Sequence, residues 1–340
     1  MNRIEFGDCR ETMRRWAADG VRVQTCVTSP PYFGLRDYGH DGQIGLEQTP
    51  EQYIAAMVEV FRCVRDVLAD DGTLWLNIGD SYNAHPGQRK TTDKAGDKQQ
   101  SVRGAQAAPS RSVDSCKPKD LIGIPWMLAF ALRADGWYLR QDIIWHKPNP
   151  MPESVRDRCT KAHEYIFLLS KSERYFIDPD GMKEPAVKGA AGSEFHTGKT
   201  GAHQMGRAST KPRKQNSTND SFVPGATAHG GLHREGTERE PETRNRRSVW
   251  TVATRPYKGA HFATFPPALI EPCILAGSRP GDLVLDPFMG SGTTAAVAIQ
   301  HGRQYLGCEL NPEYGPLQAE RIQAANDNLP RVGDLFAGAA

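Results

Sequence analysis

Short apolar runs alternate with polar segments in the first quarter of the chain. Arg3 to Gly7 and Val21 to Thr28 predict strands on either side of a short helix. A longer helix begins at Thr49, a typical capping residue, ends at Asp71-Gly72 and is followed by the predicted buried strand TLWLNIG. One face of this helix is apolar and consists of Tyr53, Ile54, Met57, Phe61, Val64 and Leu68.

Two tracts in the middle of the chain lack apolar periodicity. Residues 81–119 and 182–247 are rich in small and polar residues and predict long loops. Between them, a helix ending at Gly136 precedes the predicted strands WYLRQDIIW and EYIFLLS.

The last third of the chain is the most regular. ALIEPCILAG, GTTAAVAIQHG and PEYGPLQAERIQAA predict helices, with the strands DLVLD and QYLGCEL between them. Strands and helices that alternate at this spacing form parallel βαβ units. Taken in the order 282 to 325 and then 3 to 79, the elements form one doubly wound, Rossmann-like α/β sheet, so the chain is predicted to be circularly permuted.

Composition narrows the class of protein. Hydrophobic residues make up 38% of the chain, and no apolar run reaches the roughly 18 residues of a membrane span. Because the first residues form no apolar signal core, we expect a cytoplasmic protein without membrane contact. The seven cysteines include no CxxC pair, which predicts reduced thiols and no metal site.

The net charge of +2 is unevenly distributed. Residues 82–120 hold eight Lys or Arg against four Asp or Glu, and residues 181–250 hold twelve against seven. The rest of the chain therefore carries a net charge of −7. Basic loops on an otherwise acidic protein indicate that one of its surfaces binds a polyanion. Two solvated loops are the alternative, and charge alone leaves both open.

A glycine-containing turn lies between a strand and a helix in DLVLDPFMGSGTTAAVA. Gly290 and Gly292 allow close approach of a ligand to the backbone, and the helix N-terminus offers free N–H groups. Glu309 ends the next strand about 20 residues later, at the offset where an acidic side chain accepts hydrogen bonds from a ribose. Together they indicate a nucleoside site, although the turn alone is more often structural. The incomplete GxGxxG pattern disfavours a nicotinamide dehydrogenase.

The tetrapeptide Ser29-Pro30-Pro31-Tyr32 follows a predicted central strand. An exocyclic amino group of a nucleobase is a weak nucleophile because its lone pair is delocalised into the ring, so a site must accept hydrogen bonds from its N–H groups. The Ser29 hydroxyl and the Pro30 carbonyl can accept them, and the prolines fix their direction. Tyr32 offers a flat face for an extruded base. A rigid structural turn is the alternative for these four residues taken alone.

These motifs together resemble those of the β-class DNA amino-methyltransferases. VTSPPY is similar to the catalytic motif of that family, and DPFMGSGTT and HFATFPPALIEPCILAG are similar to its cofactor segments. The order of a catalytic half followed by a cofactor half is the β-class order. The resemblance implies a methyltransferase sheet with a basic target-recognition insertion, S-adenosylmethionine as cofactor, and direct methyl transfer without a metal.

The resemblance also implies roles for single residues. Ser29 to Tyr32 would hold the target base, and serine at the first position is similar to enzymes that methylate cytosine N4. Asp or Asn there usually accompanies adenine N6, which stays the alternative. Cofactor contacts would come from Asp8, Cys9, Phe265, Asp286, Phe288, Gly290, Gly292, Thr293 and Glu309.

Finally, the resemblance divides the chain into regions. Residues 1–180 would be the catalytic half, 181–248 the target recognition region, 249–326 the cofactor half and 327–340 a tail. Double-stranded DNA would be the partner, contacted by Lys147, Arg244, Arg246 and Arg247.

Several alternatives stay open at the level of sequence. A homodimer and a cognate restriction endonuclease are further candidate partners. A non-catalytic DNA-binding module is the rival from another class, and it is disfavoured by the complete Ser-Pro-Pro-Tyr and glycine motifs. Structural roles are expected for His146, His163, Trp145 and Trp250, whereas a structural and a functional role are equally balanced for His261.

Overall fold

The computed structural model describes residues 1–83, 106–107, 115–186, 243–254 and 265–329. Its helices are α1 (Cys9–Ala18), α2 (Pro50–Val67), α3 (Ile124–Ala134), α4 (Pro267–Gly277), α5 (Thr293–Gln300) and α6 (Gly315–Asp327). Its strands are β1 (Arg3–Phe6), β2 (Val23–Thr28), β3 (Arg36–Asp37), β4 (Leu68–Ile78), β5 (Gln106–Ala107), β6 (Tyr138–His146), β7 (His163–Ser170), β8 (Lys183–Pro185), β9 (Thr243–Asn245), β10 (Val249–Thr251), β11 (Leu283–Asp286) and β12 (Gln304–Glu309).

The main sheet contains eight strands in the order β1-β12-β11-β2-β4-β7-β6-β10. Neighbouring strands are parallel except β7, which runs antiparallel to both β4 and β6. The first five positions combine strands from both ends of the chain in the order that the permutation predicts. The predicted doubly wound α/β fold is therefore confirmed.

Helices cover both faces of this sheet. On one face, α1, α2 and α3 enclose a core that includes Trp16, Tyr53 and Leu128. On the other face, α4, α5 and α6 pack around Ile274, Val297 and other buried side chains. Because both faces are covered, the central strands are buried along most of their length, and the polar residues at their ends are left for a site.

The end of α2 differs from the prediction. The helix ends at Val67, and Leu68 already has extended backbone with φ −76° and ψ 140°, so β4 begins four residues before Gly72. The pairing of β2 with β4 shifts register between Val23 and Thr25, which accommodates the extra residues. Leu68 is fully buried, and because a buried leucine suits a helix and a strand equally, its apolar character does not distinguish them.

The chain divides into two compact units. Residues 1–183 and 245–340 form the first unit, and residues 184–244 form the second. Only residues 184–186 and 243–244 of the second unit are described, and most of the two basic tracts lies outside the described residues. Within the described ranges, no helix has the length and apolar character needed to cross a membrane.

Close packing of α4 on the sheet predicts a stability effect at Gly277. A Cβ at this position would lie 2.6 Å from Thr25 Oγ1 and 2.9 Å from Trp75 Nε1, and both side chains are buried in central strands. We expect Gly277→Ala to lower the free energy of unfolding by about 1–3 kcal/mol, measured by urea denaturation. Gly315→Ala is the matched control, because a Cβ there meets only Phe6 Cζ at 3.5 Å. Equal stability of the two variants would contradict this packing.

Candidate active site

All eight strands of the main sheet end at one common edge. Seven of them contribute their carboxyl ends, and the antiparallel β7 contributes its amino end. A cavity of about 950 Å³ opens at this edge, which is large enough for a nucleoside-sized ligand. The predicted site residues that line it are Asp8, Cys9, Ser29, Pro30, Pro31, Tyr32, Lys147, Phe265, Asp286, Phe288, Gly290, Thr293 and Glu309.

The glycine turn between β11 and α5 requires left-handed backbone. Gly290 has φ 52° and Gly292 has φ 84°, values that residues with a side chain rarely adopt. Gly292 is the N-cap of α5, and its N–H donates to the Met289 carbonyl at 3.0 Å. Gln318 on α6 donates to the Gly290 carbonyl at 2.7 Å and holds the turn from the other side.

Glu309 at the end of β12 is bonded directly to this turn. One of its carboxylate oxygens accepts from the Gly290 N–H at 2.7 Å, and the other accepts from the Asn311 N–H at 2.9 Å. Burial raises the pKa of Glu309 to about 7, although these backbone hydrogen bonds oppose the rise. The side chain is only 8% exposed, so a ligand at this carboxylate would be largely shielded from water.

Asp8 and Cys9 lie at the end of β1, which pairs with β12 so that Phe6 is opposite Glu309. The Asp8 carboxylate caps α1 by accepting from the Arg10 N–H at 2.7 Å. The Arg10 guanidinium holds the pKa of Asp8 below its usual value, whereas burial raises the pKa of the Cys9 thiol to about 12. This end of the cavity therefore combines a charged carboxylate with a neutral thiol.

Asp286 connects three elements at the centre of the edge. Its two oxygens accept from the hydroxyls of Thr28 and Thr294, each at 2.6 Å, and from the Phe288 N–H at 3.0 Å. The carboxyl is 1% exposed, and burial raises its pKa to about 6 against these hydrogen bonds. Asp286 therefore ties the ends of β11 and β2 to the first turn of α5.

The Ser-Pro-Pro-Tyr turn follows β2 and is held by contacts from two sides. The Tyr53 hydroxyl on α2 donates to the Pro31 carbonyl at 2.8 Å. The Tyr32 hydroxyl donates to a Glu164 carboxylate oxygen at 2.6 Å, and Ser29 Oγ lies 3.5 Å from the Tyr32 hydroxyl. Burial, and after it the adjacent Glu164, raises the pKa of Tyr32 well above its usual value.

Sequence reasoning missed Glu164 as a candidate site residue. Ligands of open α/β sheets usually bind at carboxyl ends of strands, but β7 is reversed and brings its first residues to the same edge. The available signal was a charged residue at the start of the otherwise apolar run EYIFLLS. Further cavity-lining residues that the sequence did not indicate include Asn77, Asp80 and Lys161.

Lys147 was predicted to contact DNA, and the structure places it inside the cavity. Its ammonium forms an ion pair with Glu164, and the two side chains are 19% and 15% exposed. The ammonium also lies 4.2 Å from the centroid of the Trp145 ring. Its charge is thus already engaged within the protein.

The three predicted DNA-binding arginines form hydrogen bonds within the protein, through the side chains of Arg244 and Arg246 and through the backbone of Arg247. In the second unit, Arg244 pairs with Glu184 at 2.9 Å. In the first unit, Arg246 donates to the Lys183 carbonyl at 3.4 Å, and the Arg247 carbonyl accepts from Trp250 Nε1 at 2.8 Å. Arg246 and Arg247 lie outside the residues that line the cavity.

Of the remaining singled-out residues, Trp145 and His146 lie on β6 and His163 lies on β7. Trp145 is buried and donates to the Val252 carbonyl at 2.8 Å, and His146 Nδ1 lies 3.1 Å from Thr251 Oγ1. His163 lines the cavity, and burial lowers its pKa. His261 lies outside the described residues.

Comparison with known proteins agrees with this arrangement. The Type II methyltransferase M.XycI of Xanthomonas campestris pv. cyanopsidis is 47% identical over 326 residues, and M.Cfr9I of Citrobacter freundii is 45% identical over 326 residues. Each alignment covers 96% of this chain and 89% of the relative. The structure of the PvuII DNA methyltransferase (cytosine-N4-specific) has the same fold, with a TM-score of 0.56 and 17% identity over 96% of this chain and 91% of that one.

The family model described as DNA methylase, which covers the N6 and N4 types, matches residues 23–320. This match spans most of the chain and includes the Ser-Pro-Pro-Tyr turn, the glycine turn and Glu309. The chain therefore belongs to the N6/N4 DNA methylase family and is a DNA methyltransferase.

Proposed function

We propose that this enzyme transfers a methyl group from S-adenosylmethionine to the exocyclic N4 of a cytosine extruded from double-stranded DNA. The observation that carries the proposal is that the Ser29–Tyr32 turn, the glycine turn and Glu309 line one cavity. A site for an amino nucleophile and a site for a nucleoside cofactor are thus adjacent, as direct transfer requires.

The cofactor side of the cavity fits an adenosyl sulfonium ligand. Glu309 offers a carboxylate to ribose hydroxyls, and Asp8 and Cys9 lie next to it for the adenine edge. Gly290 lets the backbone approach the ligand, while Phe265 and Phe288 provide apolar walls. When bound, the cofactor supplies a methyl group that is already activated by the sulfonium charge.

The base side provides the acceptors that an amino nucleophile needs. Ser29 Oγ and the Pro30 carbonyl accept hydrogen bonds from the two N–H groups and draw the nitrogen toward tetrahedral geometry. The Tyr32 ring stacks on the base. As the bond between nitrogen and the methyl carbon forms, the sulfur–carbon bond breaks, and the nitrogen then releases one proton to solvent.

The proposal also includes the regions that contact DNA and the partners of the enzyme. Residues 181–248 form the target recognition region, in which Arg244, Arg246 and Arg247 contact the DNA, and Lys147 contacts the substrate from the cavity. Both relatives are named Type II methyltransferases, which supports a role in restriction–modification beside a cognate endonuclease. A homodimer and a cytoplasmic location remain predictions of the sequence.

The base assignment predicts one methylated product. Incubation with unmethylated DNA and S-adenosylmethionine, followed by digestion to nucleosides and mass spectrometry, should yield N4-methylcytosine. Ser29→Ala, which removes the proposed acceptor, is the loss-of-function control. N6-methyladenine would refute the cytosine assignment, and the absence of any methylated nucleoside with several DNA substrates would refute the proposed reaction.

Different residues are proposed to contact the base and the cofactor. We therefore expect one variant to lose catalysis and another to lose cofactor binding. Ser29→Ala should lower kcat about tenfold or more while the dissociation constant for S-adenosylmethionine stays near the wild-type value. Gly290→Val should abolish cofactor binding, because valine is strained at φ 52° and position 290 lines the cavity. Calorimetry measures the binding, and Ser81→Ala controls for loss of a serine outside the cavity lining. Normal cofactor binding by Gly290→Val would place the cofactor site elsewhere.

The raised pKa of Glu309 predicts proton release on cofactor binding. Burial raises this pKa to about 7, and ribose hydroxyl donors favour the anion, so binding lowers the pKa. Cofactor affinity should therefore rise with pH through about 7. Calorimetry in buffers with different ionisation enthalpies measures the released proton.

The matched variant for this experiment is Glu309→Gln. It should bind S-adenosylmethionine more weakly and release no proton in this pH range. The neighbouring carboxyl Asp286, whose pKa burial raises to about 6, is unchanged in this variant, so the difference from wild type isolates the contribution of Glu309. A wild-type affinity that is independent of pH around 7 would contradict the assignment of Glu309 to the ribose.

A further inference from the structure

We infer that Glu164 is a positioning residue that sets the direction of a hydrogen-bond chain running through Tyr32 to Ser29. In this chain the Ser29 oxygen is left facing the substrate amino group as an acceptor. The inference rests on the proposed function and assigns Glu164 a role that acts through Tyr32, without contact to the substrate.

The direction of this hydrogen-bond chain follows from the carboxylate of Glu164 at its end. An ionised carboxylate can only accept hydrogen bonds. The Tyr32 hydroxyl, 2.6 Å from a Glu164 oxygen, therefore directs its single proton to that oxygen. Its own oxygen then accepts. Asn77 Oδ1 lies 3.4 Å from it but has no proton to donate, so the donor is Ser29 Oγ at 3.5 Å. Catalytic hydrogen bonds of this length in ligand-free enzymes commonly tighten when substrate binds.

This direction matches what the reaction needs. Both N–H groups of the target amine are donors, so a serine whose proton pointed at the amine would repel it. When the Ser29 hydroxyl donates its proton to a hydrogen bond with Tyr32, the lone pairs of its oxygen can accept hydrogen bonds from the amine. A serine can rotate its proton freely, unlike a carboxylate in the same position, so a serine-based site requires a partner that removes this freedom.

Two further side chains hold Glu164 in place. The Lys147 ammonium forms an ion pair with the carboxylate oxygen that does not contact Tyr32, which neutralises the charge. Asn77 Nδ2 lies 3.4 Å from the oxygen that Tyr32 uses and 3.1 Å from the Tyr165 carbonyl. Because a partly buried carboxylate with these partners has little freedom to turn, the acceptor atom for Tyr32 stays in one position.

Gly79 at the end of β4 leaves room for this contact. A Cβ at this residue would lie 2.7 Å from Tyr32 Cε2 and 3.3 Å from Glu164 Cδ. Its φ is outside the left-handed region, so backbone conformation does not explain the glycine. The Tyr32 ring and the Glu164 side chain occupy the space that a Cβ would need. Glycine at this position therefore permits the contact between Tyr32 and Glu164.

The test compares Glu164→Gln with the wild-type enzyme. Glutamine keeps the shape, but its amide can donate to the Tyr32 oxygen, so the direction of the chain is lost. We expect kcat to fall about tenfold or more, with KM for DNA and for S-adenosylmethionine within about twofold of wild type. Glu5→Gln is the matched control, because Glu5 is also a paired, partly buried carboxylate of the main sheet, bonded to Trp16 Nε1 at 2.8 Å, and lies outside the cavity lining.

A second variant separates this role from a general structural one. Tyr32→Phe keeps the stacking ring and removes the middle of the chain, so it should also lower kcat, and Glu164→Gln should cause no further loss in that background. Losses that multiply in the double variant would overturn the inference. A double-mutant cycle on urea denaturation should show that positions 32 and 164 are coupled, a measurement that is independent of catalysis.

The outcomes also distinguish the inference from the proposed function. If the wild-type enzyme produces N4-methylcytosine and Glu164→Gln keeps the wild-type kcat, the inference alone fails. If Glu164→Gln does not fold, a wild-type kcat in Tyr32→Phe overturns the inference equally. If the wild-type enzyme produces no methylated nucleoside, the proposed function fails, and the inference fails with it.

Discussion

A buried carboxylate at the end of β11 holds the two halves of the permuted chain in register. Asp286 accepts a hydrogen bond from Thr28, which is 258 residues away in sequence, and another from Thr294 on α5. Oδ1 also accepts from the Phe288 N–H, whereas Thr294 is the donor to Oδ2, and leaving that buried acceptor unsatisfied would cost about 1–3 kcal/mol. The same contacts place the Ser-Pro-Pro-Tyr turn after Thr28 against the glycine turn before Thr294, and the proposed direct transfer depends on that placement.

The strand order separates the two proposed binding sites. Glu309 on β12 and Glu164 on β7 lie on opposite sides of the strand that leads to Ser29. Glu309, on the proposed cofactor side, is held by backbone N–H groups, whereas Glu164, on the proposed base side, is held by an ammonium and a tyrosine hydroxyl. Each carboxylate is thus oriented by different partners.

The surroundings of each carboxyl group decide its charge state. Asp8 has a guanidinium beside it and a lowered pKa, whereas Glu309 and Asp286 have no such cation as a cause of their shifts and are raised by burial. A carboxyl whose pKa lies near neutrality can become an anion when a ligand supplies donors. Glu309, whose charge can respond to a ligand, lies where the ribose is proposed to bind. Asp8, which stays charged, lies at the start of α1, whose N-terminus favours negative charge.

The sequence alone determined the parts of the molecule that depend on local order along the chain. The βαβ spacing, the permuted order, the glycine turn and Glu309 follow from periodicity and from fixed offsets, because parallel units repeat locally. The end of α2 was misplaced, since a buried leucine suits a helix and a strand equally. Only the tertiary structure placed Glu164 beside Tyr32 and enclosed Lys147, because an antiparallel strand brings its amino end to an edge otherwise built from carboxyl ends. Pairing direction is set by contacts between distant strands, and no local pattern encodes it.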